Sequence, residues 1–172
     1  MKGKVLVTYA TKYGATAEIA VKIGQVLGAE GVQVDVLNVK EVRDLSPYSA
    51  VILGSAVYVG RWRKEAVQFL EHNEEMLTQS TVWLFSSGPT GEGDPTDLLQ
   101  GWRLPDKVNA IADRIQVKDS VVFSGDLEVY RLNFFEKWMI KRVKAPTGDF
   151  RDWDAITFWA AAIADELKIP AV

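Results

Sequence analysis

Cysteine is absent from the 172 residues. Its absence removes disulfides, thiolate metal ligands, cysteine nucleophiles and iron–sulfur clusters together. It also excludes the cysteine-based phosphatases that share an α/β layout. Histidine occurs once, at His72, and no His/Asp/Glu group has metal-ligand spacing. A strong charge of one sign is missing too. The 20 basic and 23 acidic residues leave −3 at pH 7, whereas a nucleic-acid binder normally carries a strong basic excess. No apolar run reaches the roughly 18 residues of a membrane span. The start, MKGKVLVTYA, reads as a strand rather than a signal peptide. A cytoplasmic location is the expectation, with no nucleic-acid partner.

What is present suits one well-buried core. Apolar residues make up 48%, and the length fits a single domain over residues 1–172. Lys4–Tyr9, Ala50–Ala56 and Thr81–Ser86 are short and mostly apolar, and Val32–Val39 alternates; all four read as strands. Val121–Gly125 is a fifth. Ala15–Ala29 has helical spacing, with Ile19, Ala20, Ile23, Val26 and Leu27 on one face. Arg63–Leu77, Asp106–Ile115, Asn133–Lys144 and Trp153–Leu167 read as further helices, and residues 87–105 as loop. Strands alternating with helices predict an α/β fold with a parallel sheet covered on both sides. Five strands fit the order 2-1-3-4-5, with ligands expected at the carboxyl ends near the switch point.

The loop leaving strand 1 is Thr11-Lys12-Tyr13-Gly14-Ala15-Thr16. It opens a helix, where backbone N–H groups lack partners and the dipole favours an anion. Gly14 permits close backbone approach. The Thr11 and Thr16 hydroxyls add donors, which suits a phosphate monoester. Thr11 in this place also serves as an ordinary helix cap. Lys12 either adds charge or points to water. Neither GxxxxGK[ST] nor GxGxxG follows a strand here, so nucleoside triphosphate and classical dinucleotide binding lose support.

TKYGAT after VLVTYA resembles the phosphate signature of the flavodoxins, roughly [ST]-x-x-G-x-T. The resemblance implies a flavodoxin-like three-layer sandwich in which residues 11–16 hold the phosphate of FMN. It also implies that the flavin ring lies between two further loops. One is Ala56-Val57-Tyr58-Val59-Gly60 with Trp62, where Tyr58 and Trp62 are candidate ring neighbours and Gly60 a candidate for a peptide that bonds flavin N5. Trp62 has a second reading, as a staple over the next helix. The other loop is Ser87-Gly88-Pro89-Thr90-Gly91, whose small residues suit approach to a flat ring.

Three longer stretches resemble the flavodoxin-type, quinone-dependent protoporphyrinogen oxidases. They are Val51–Leu70, Gly125–Val143 and Asp152-Trp153-Asp154. The pattern departs in loop 87–105, where those enzymes carry a longer basic segment over the flavin. The resemblance implies an oxidoreductase that uses a quinone, with a porphyrinogen substrate left open by that loop. An electron carrier working with redox partner proteins is the alternative, and the near-neutral charge speaks against it, because acidity steers carriers. A response-regulator receiver is discounted, since Tyr9-Ala10, Gly54-Ser55 and Gly125-Asp126 stand where its acidic residues and lysine belong. A structural domain without flavin is the remaining reading. Asn133–Lys144 sets Phe134, Phe135, Trp138 and Met139 on one side and Lys137, Lys141 and Lys144 on another. Such a helix either packs its apolar side on the sheet or lies on an anionic membrane surface, giving peripheral contact at the inner membrane face.

Overall fold

The computed structural model describes residues 3–168. The expected domain of residues 1–172 therefore runs past the described residues at both ends. Five parallel strands form the sheet: β1 (Lys4–Ala10), β2 (Val34–Asn38), β3 (Tyr48–Tyr58), β5 (Thr81–Ser87) and β6 (Asp119–Phe123). Their spatial order is β2-β1-β3-β5-β6. A sixth strand, β4 (Arg61–Trp62), folds back antiparallel on the end of β3, pairing Val57 with Trp62. Set aside this short return and the order is the expected 2-1-3-4-5.

Strand alternation distributes the core to two sides. Leu6, Val51, Leu53 and Leu84 face the layer of α2 (Lys64–His72) and α5 (Asp106–Arg114), where they meet Ala66, Leu70, Val108 and Ile111. Val5, Val7, Ile52, Trp83 and Phe85 face α1 (Ala15–Ala29) and α7 (Trp153–Lys168), meeting Ile19, Ile23, Ile156 and Ile163. Strands covered on both faces have no polar side to show, which is why they read as apolar runs. The inner strands align β-carbons closely: Ile52 pairs with Val7 on one side and Trp83 on the other.

The second strand is shorter than Val32–Val39, and the third runs Tyr48–Tyr58 rather than Ala50–Ala56, so Val57 and Tyr58, expected in the loop, belong to the strand and pair with β4. Three further differences each have a local reason. The helix expected over Arg63–Leu77 is two, α2 and α3 (Glu74–Thr78). Asn73 lies between them at φ −112°, and its side-chain amide donates to the Phe69 carbonyl at 2.8 Å. An Asn competing for a helical carbonyl is a common stop. The fifth parallel strand ends at Phe123 rather than Gly125, because its pairing with β5 runs out at Ser87↔Phe123. Residues 87–105 are not all loop. Asp94 accepts from the Thr96 and Asp97 N–H groups and opens a four-residue helix, α4 (Pro95–Leu98). Leu104 is buried beyond it.

Beyond β6 the chain makes an excursion before α7. It is closed at its base by an antiparallel pair, β7 (Asp126–Leu127) with β8 (Gly148–Asp149). The excursion carries α6 (Phe134–Val143), whose start is a full capping box between Asn133 and Glu136.

Candidate functional site

The carboxyl ends of β1, β3 and β5 deliver three loops to one edge of the sheet, as the switch point requires. The first loop is a tight turn. Thr11 Oγ1 accepts from the Gly14 N–H at 3.0 Å, and Gly14 sits at φ +99°, a conformation that costs a β-carbon-bearing residue energy. A β-carbon there would meet open space, so the backbone rather than crowding demands glycine. No side chain caps α1, and its first N–H groups have no helical partner by geometry. The Thr11 hydroxyl thus braces the turn from within and does not cap the helix. Thr16 is 1% exposed, and its buried Oγ1 has no hydrogen-bond partner. Burying a hydroxyl without a partner costs on the order of 1–3 kcal/mol. A phosphate oxygen at this helix start would satisfy it.

The second loop stands beside the first. Tyr58 is close enough to Tyr13 to feel it: burial of its hydroxyl, with Tyr13 adding to the effect, pushes its pKa up to about 12. Part of the ring is open, with 38% of the residue exposed. Val59 and Gly60 form the turn between β3 and β4, both with positive φ. Trp62 is placed differently from a ring neighbour. It is 6% exposed, packed in the core with Ala66 and Leu70, and its indole N–H donates to Ser86 Oγ at 2.8 Å. Ser86 in turn donates to the Arg103 carbonyl at 2.8 Å. Trp62 is therefore the staple of the two readings, pinning the segment after the third loop to the core. Ala56 is buried and Val57 half-buried.

The third loop is zipped to the chain leaving β6. The Gly88 N–H donates to Phe123 O at 2.9 Å, and the Gly125 N–H donates to Pro89 O at 2.9 Å. A β-carbon at Gly125 would lie 2.6 Å from the Gly88 carbonyl oxygen, so this crossing accepts only glycine. Ser87 and Gly91 are buried, while Gly88, Pro89 and Thr90 are partly open.

Three residues outside the expected set tie these loops to the α6 excursion. Arg131 Nη1 donates to the Tyr13 carbonyl at 2.9 Å. Glu136 receives both Lys12 Nζ and the Tyr13 hydroxyl. Lys12 is thus neither idle nor free in solvent. Arg151 is 6% exposed in its side chain and pairs with Asp149 at 2.7 Å and Glu18 at 2.5 Å, 3.8 Å from Asp126. Hydrogen bonding to Asp149 holds the Arg151 guanidinium charged, and that guanidinium keeps the Asp149 carboxyl below the ordinary range. Burial acts the other way on Asp126 and pushes its carboxyl up; its Oδ1 is buried without a partner. Arg131, Glu136 and Arg151 each reach across more than 100 residues; the capping box marks Glu136 as a helix-start residue, but no local pattern foretells these distant partners.

Among the described residues no metal-binding cluster occurs. A cavity lined by Gly3, Glu30, Gly31, Gln33 and Lys168 opens at the opposite, amino end of the sheet and gathers no comparable set of donors.

With this arrangement in place, the relatives are informative. A family model described as a flavodoxin domain matches residues 6–154. The chain belongs to that family. The flavodoxin-domain match spans all three loops and the excursion. A curated relative, protoporphyrinogen IX dehydrogenase [quinone] of Escherichia coli strain K12, is 23% identical over 184 residues, covering 94% of each chain. The fold is that of a flavodoxin from the domain Archaea, with TM-score 0.64 at 15% identity over 96% of this chain and 99% of that one. Rubredoxin oxygen:oxidoreductase of Desulfovibrio gigas also matches at TM-score 0.64 and 16% identity, over 96% of this chain and 36% of that one. His72, remote from the three loops on the sheet's flank, is exposed.

Proposed function

We propose that this flavodoxin-domain protein is one domain that binds FMN at residues 11–16, 56–60 and 87–91 and passes electrons to a quinone. The observation that carries the reading is the buried, unpartnered Thr16 hydroxyl at the uncapped start of α1. It supports a phosphate there, and the loops after β3 and β5 end on the same edge of the sheet. Bound FMN would supply the redox chemistry.

The chain's own residues do the holding. The N–H groups of Ala15 and Thr16, together with the Thr16 hydroxyl, would donate to the phosphate, with the α1 dipole behind them. Tyr58 offers its partly open face to the flavin ring, an interaction worth on the order of 1 kcal/mol beyond area burial. Tyr58 stays neutral across the physiological range, because its hydroxyl is pushed up to about 12. Ser87, Gly88 and Pro89 close the other side, held in place by their bonds to Phe123 and Gly125. Trp62, buried and bonded to Ser86 Oγ, would support this edge from the core.

The quinone assignment rests on the likeness to the Escherichia coli relative over 94% of the chain. A porphyrinogen electron donor is the corresponding substrate, acting at the cytoplasmic side. Loop 87–105, where the chain departs from those enzymes, carries α4 and is anchored through Ser86 and Leu104; whether it admits a porphyrinogen is what the turnover assay below decides. The test has two parts. The purified protein with added FMN should show the perturbed absorption of a bound flavin and oxidise protoporphyrinogen IX with a quinone. Flavin binding with no such turnover, but with reduction by a flavodoxin reductase, would replace the oxidase by an electron carrier. A protein that takes up no FMN would remove both.

A further inference from the structure

The α6 excursion leaves its apolar side chains uncovered. Phe134 is 87% exposed, Phe135 63%, Trp138 50% and Val143 65%. No residue of the helix is buried. Glu136 and Ile140, four apart, are its half-buried positions, and helical geometry sets Trp138 and Phe134 on the side away from the body. Phe135 stacks on Trp138 at 6.0 Å, and the Arg142 guanidinium lies over the Trp138 ring at 5.2 Å. The charge here opposes that of the whole chain. Residues 129–144 hold Arg131, Lys137, Lys141, Arg142 and Lys144 against Glu136 alone, in a protein of net charge −3. Glu136 is already paired with Lys12.

We infer that this face of α6 docks on an anionic lipid bilayer. The inference rests on the quinone reading above, since a lipid-soluble quinone is met at a bilayer. Outward aromatics flanked by Lys and Arg are the chemistry of an interfacial helix: rings enter the headgroup boundary while cations pair with anionic lipids. A second copy of the chain fits poorly, because a two-fold contact sets the same patch against itself and opposes like charges. The position of the helix suits the role. Glu136 and Arg131 hold it against Tyr13 of the phosphate loop, and the β7–β8 pair fixes its base. A docked helix therefore carries the flavin edge with it to the bilayer surface.

The test uses the full chain loaded with FMN and sedimented with vesicles of phosphatidylcholine, with or without phosphatidylglycerol. The protein should pellet with the anionic vesicles, much less with the neutral ones, and less as salt rises. Phe134→Ser with Trp138→Ser should weaken binding about tenfold or more, as should Lys137→Glu with Lys141→Glu, with FMN uptake and circular dichroism unchanged. Failure of the FMN-loaded protein to bind anionic vesicles would overturn the inference and turn attention to an acidic protein partner. Self-association that the same substitutions abolish, without vesicle binding, would overturn it in favour of a second copy. Vesicle binding by a protein that takes up no FMN would support docking while defeating the flavin reading, so the two fail separately.

Discussion

Helices α6 and α7 follow one another and both carry bulky apolar residues at helical spacing, yet they meet opposite fates. α7 buries Ile156, Ala160, Ile163, Ala164 and Leu167 against the sheet and α1. α6 buries nothing. The inward positions explain the difference. In α7 the stripe alternates large aliphatics with alanines, which lets the helix approach the sheet closely. In α6 the inward positions are Glu136 and Ile140, and the anchor is polar: a capping box, Lys12, Tyr13 and the neighbouring Arg131. One helix is held by hydrophobic burial, the other by hydrogen bonds to a ligand loop. Periodicity reports that an apolar face exists, not what covers it.

The comparison can be broken most forcefully in α7. Ile163→Ala should lower unfolding free energy by about 2–4 kcal/mol, the cost of lost transfer energy plus a cavity, seen as a lower urea midpoint. Arg151→Met comes next, at about 1–3 kcal/mol, because it strips the pairing from the buried Asp126 and from Asp149. Its pH dependence has a definite sign. Asp149 has a depressed folded-state pKa, so its stabilisation is full above its ordinary 3.8 and is lost as pH falls through the lower folded value. Asp126 is shifted upward, so its charge is a cost at neutral pH that acid relieves. Removing Arg151 worsens that cost. The gap between the variant and the parent should therefore be widest near neutral pH and close as pH drops below about 4, measured by denaturant titration across pH.

Gly125→Ala sharpens the contrast from the sheet edge. Its methyl group would press on the Gly88 carbonyl, costing about 1–2 kcal/mol and loosening FMN through displacement of loop 87–91. The smallest effect belongs to α6. Phe134→Ser or Trp138→Ser should change stability by no more than about 0.5 kcal/mol, since nothing is uncovered that was covered before. A loss comparable to that of Ile163→Ala would mean that α6 is a core element after all.

Much of the fold was legible because it is local. α1 spans Ala15–Ala29 as its spacing predicted, bounded by Gly14 and Gly31. The five parallel strands and their order follow from apolar runs alternating with amphipathic helices. The phosphate loop was legible for the same reason: a strand, a short polar turn and a helix start lie within 13 residues. What escaped was non-local. Gly125 gains its meaning from Gly88, on another strand end. Trp62 reads from sequence as either a ring neighbour or a staple, and the feature that favours the staple is a distant one, its indole N–H donating to Ser86 Oγ. Arg131, Glu136 and Arg151 bond across more than 100 residues, where no spacing rule reaches. Asn73 carried a local warning, as a side chain that competes for helical carbonyls in the middle of an expected helix.

The central claim is that the turn from Thr11 to Thr16 holds a flavin phosphate. Its most direct test is a titration of the protein with FMN and with riboflavin, each followed by quenching of flavin fluorescence, in the parent and in Thr11→Ala with Thr16→Ala. Hydrogen bonds to a charged group contribute about 1.5–3 kcal/mol each, so FMN should bind the parent at least about tenfold more tightly than riboflavin. The double substitution should erase most of that advantage and leave riboflavin binding nearly as it was. Equal affinity for the two flavins in the parent, or an equal loss of both in the variant, would contradict the account.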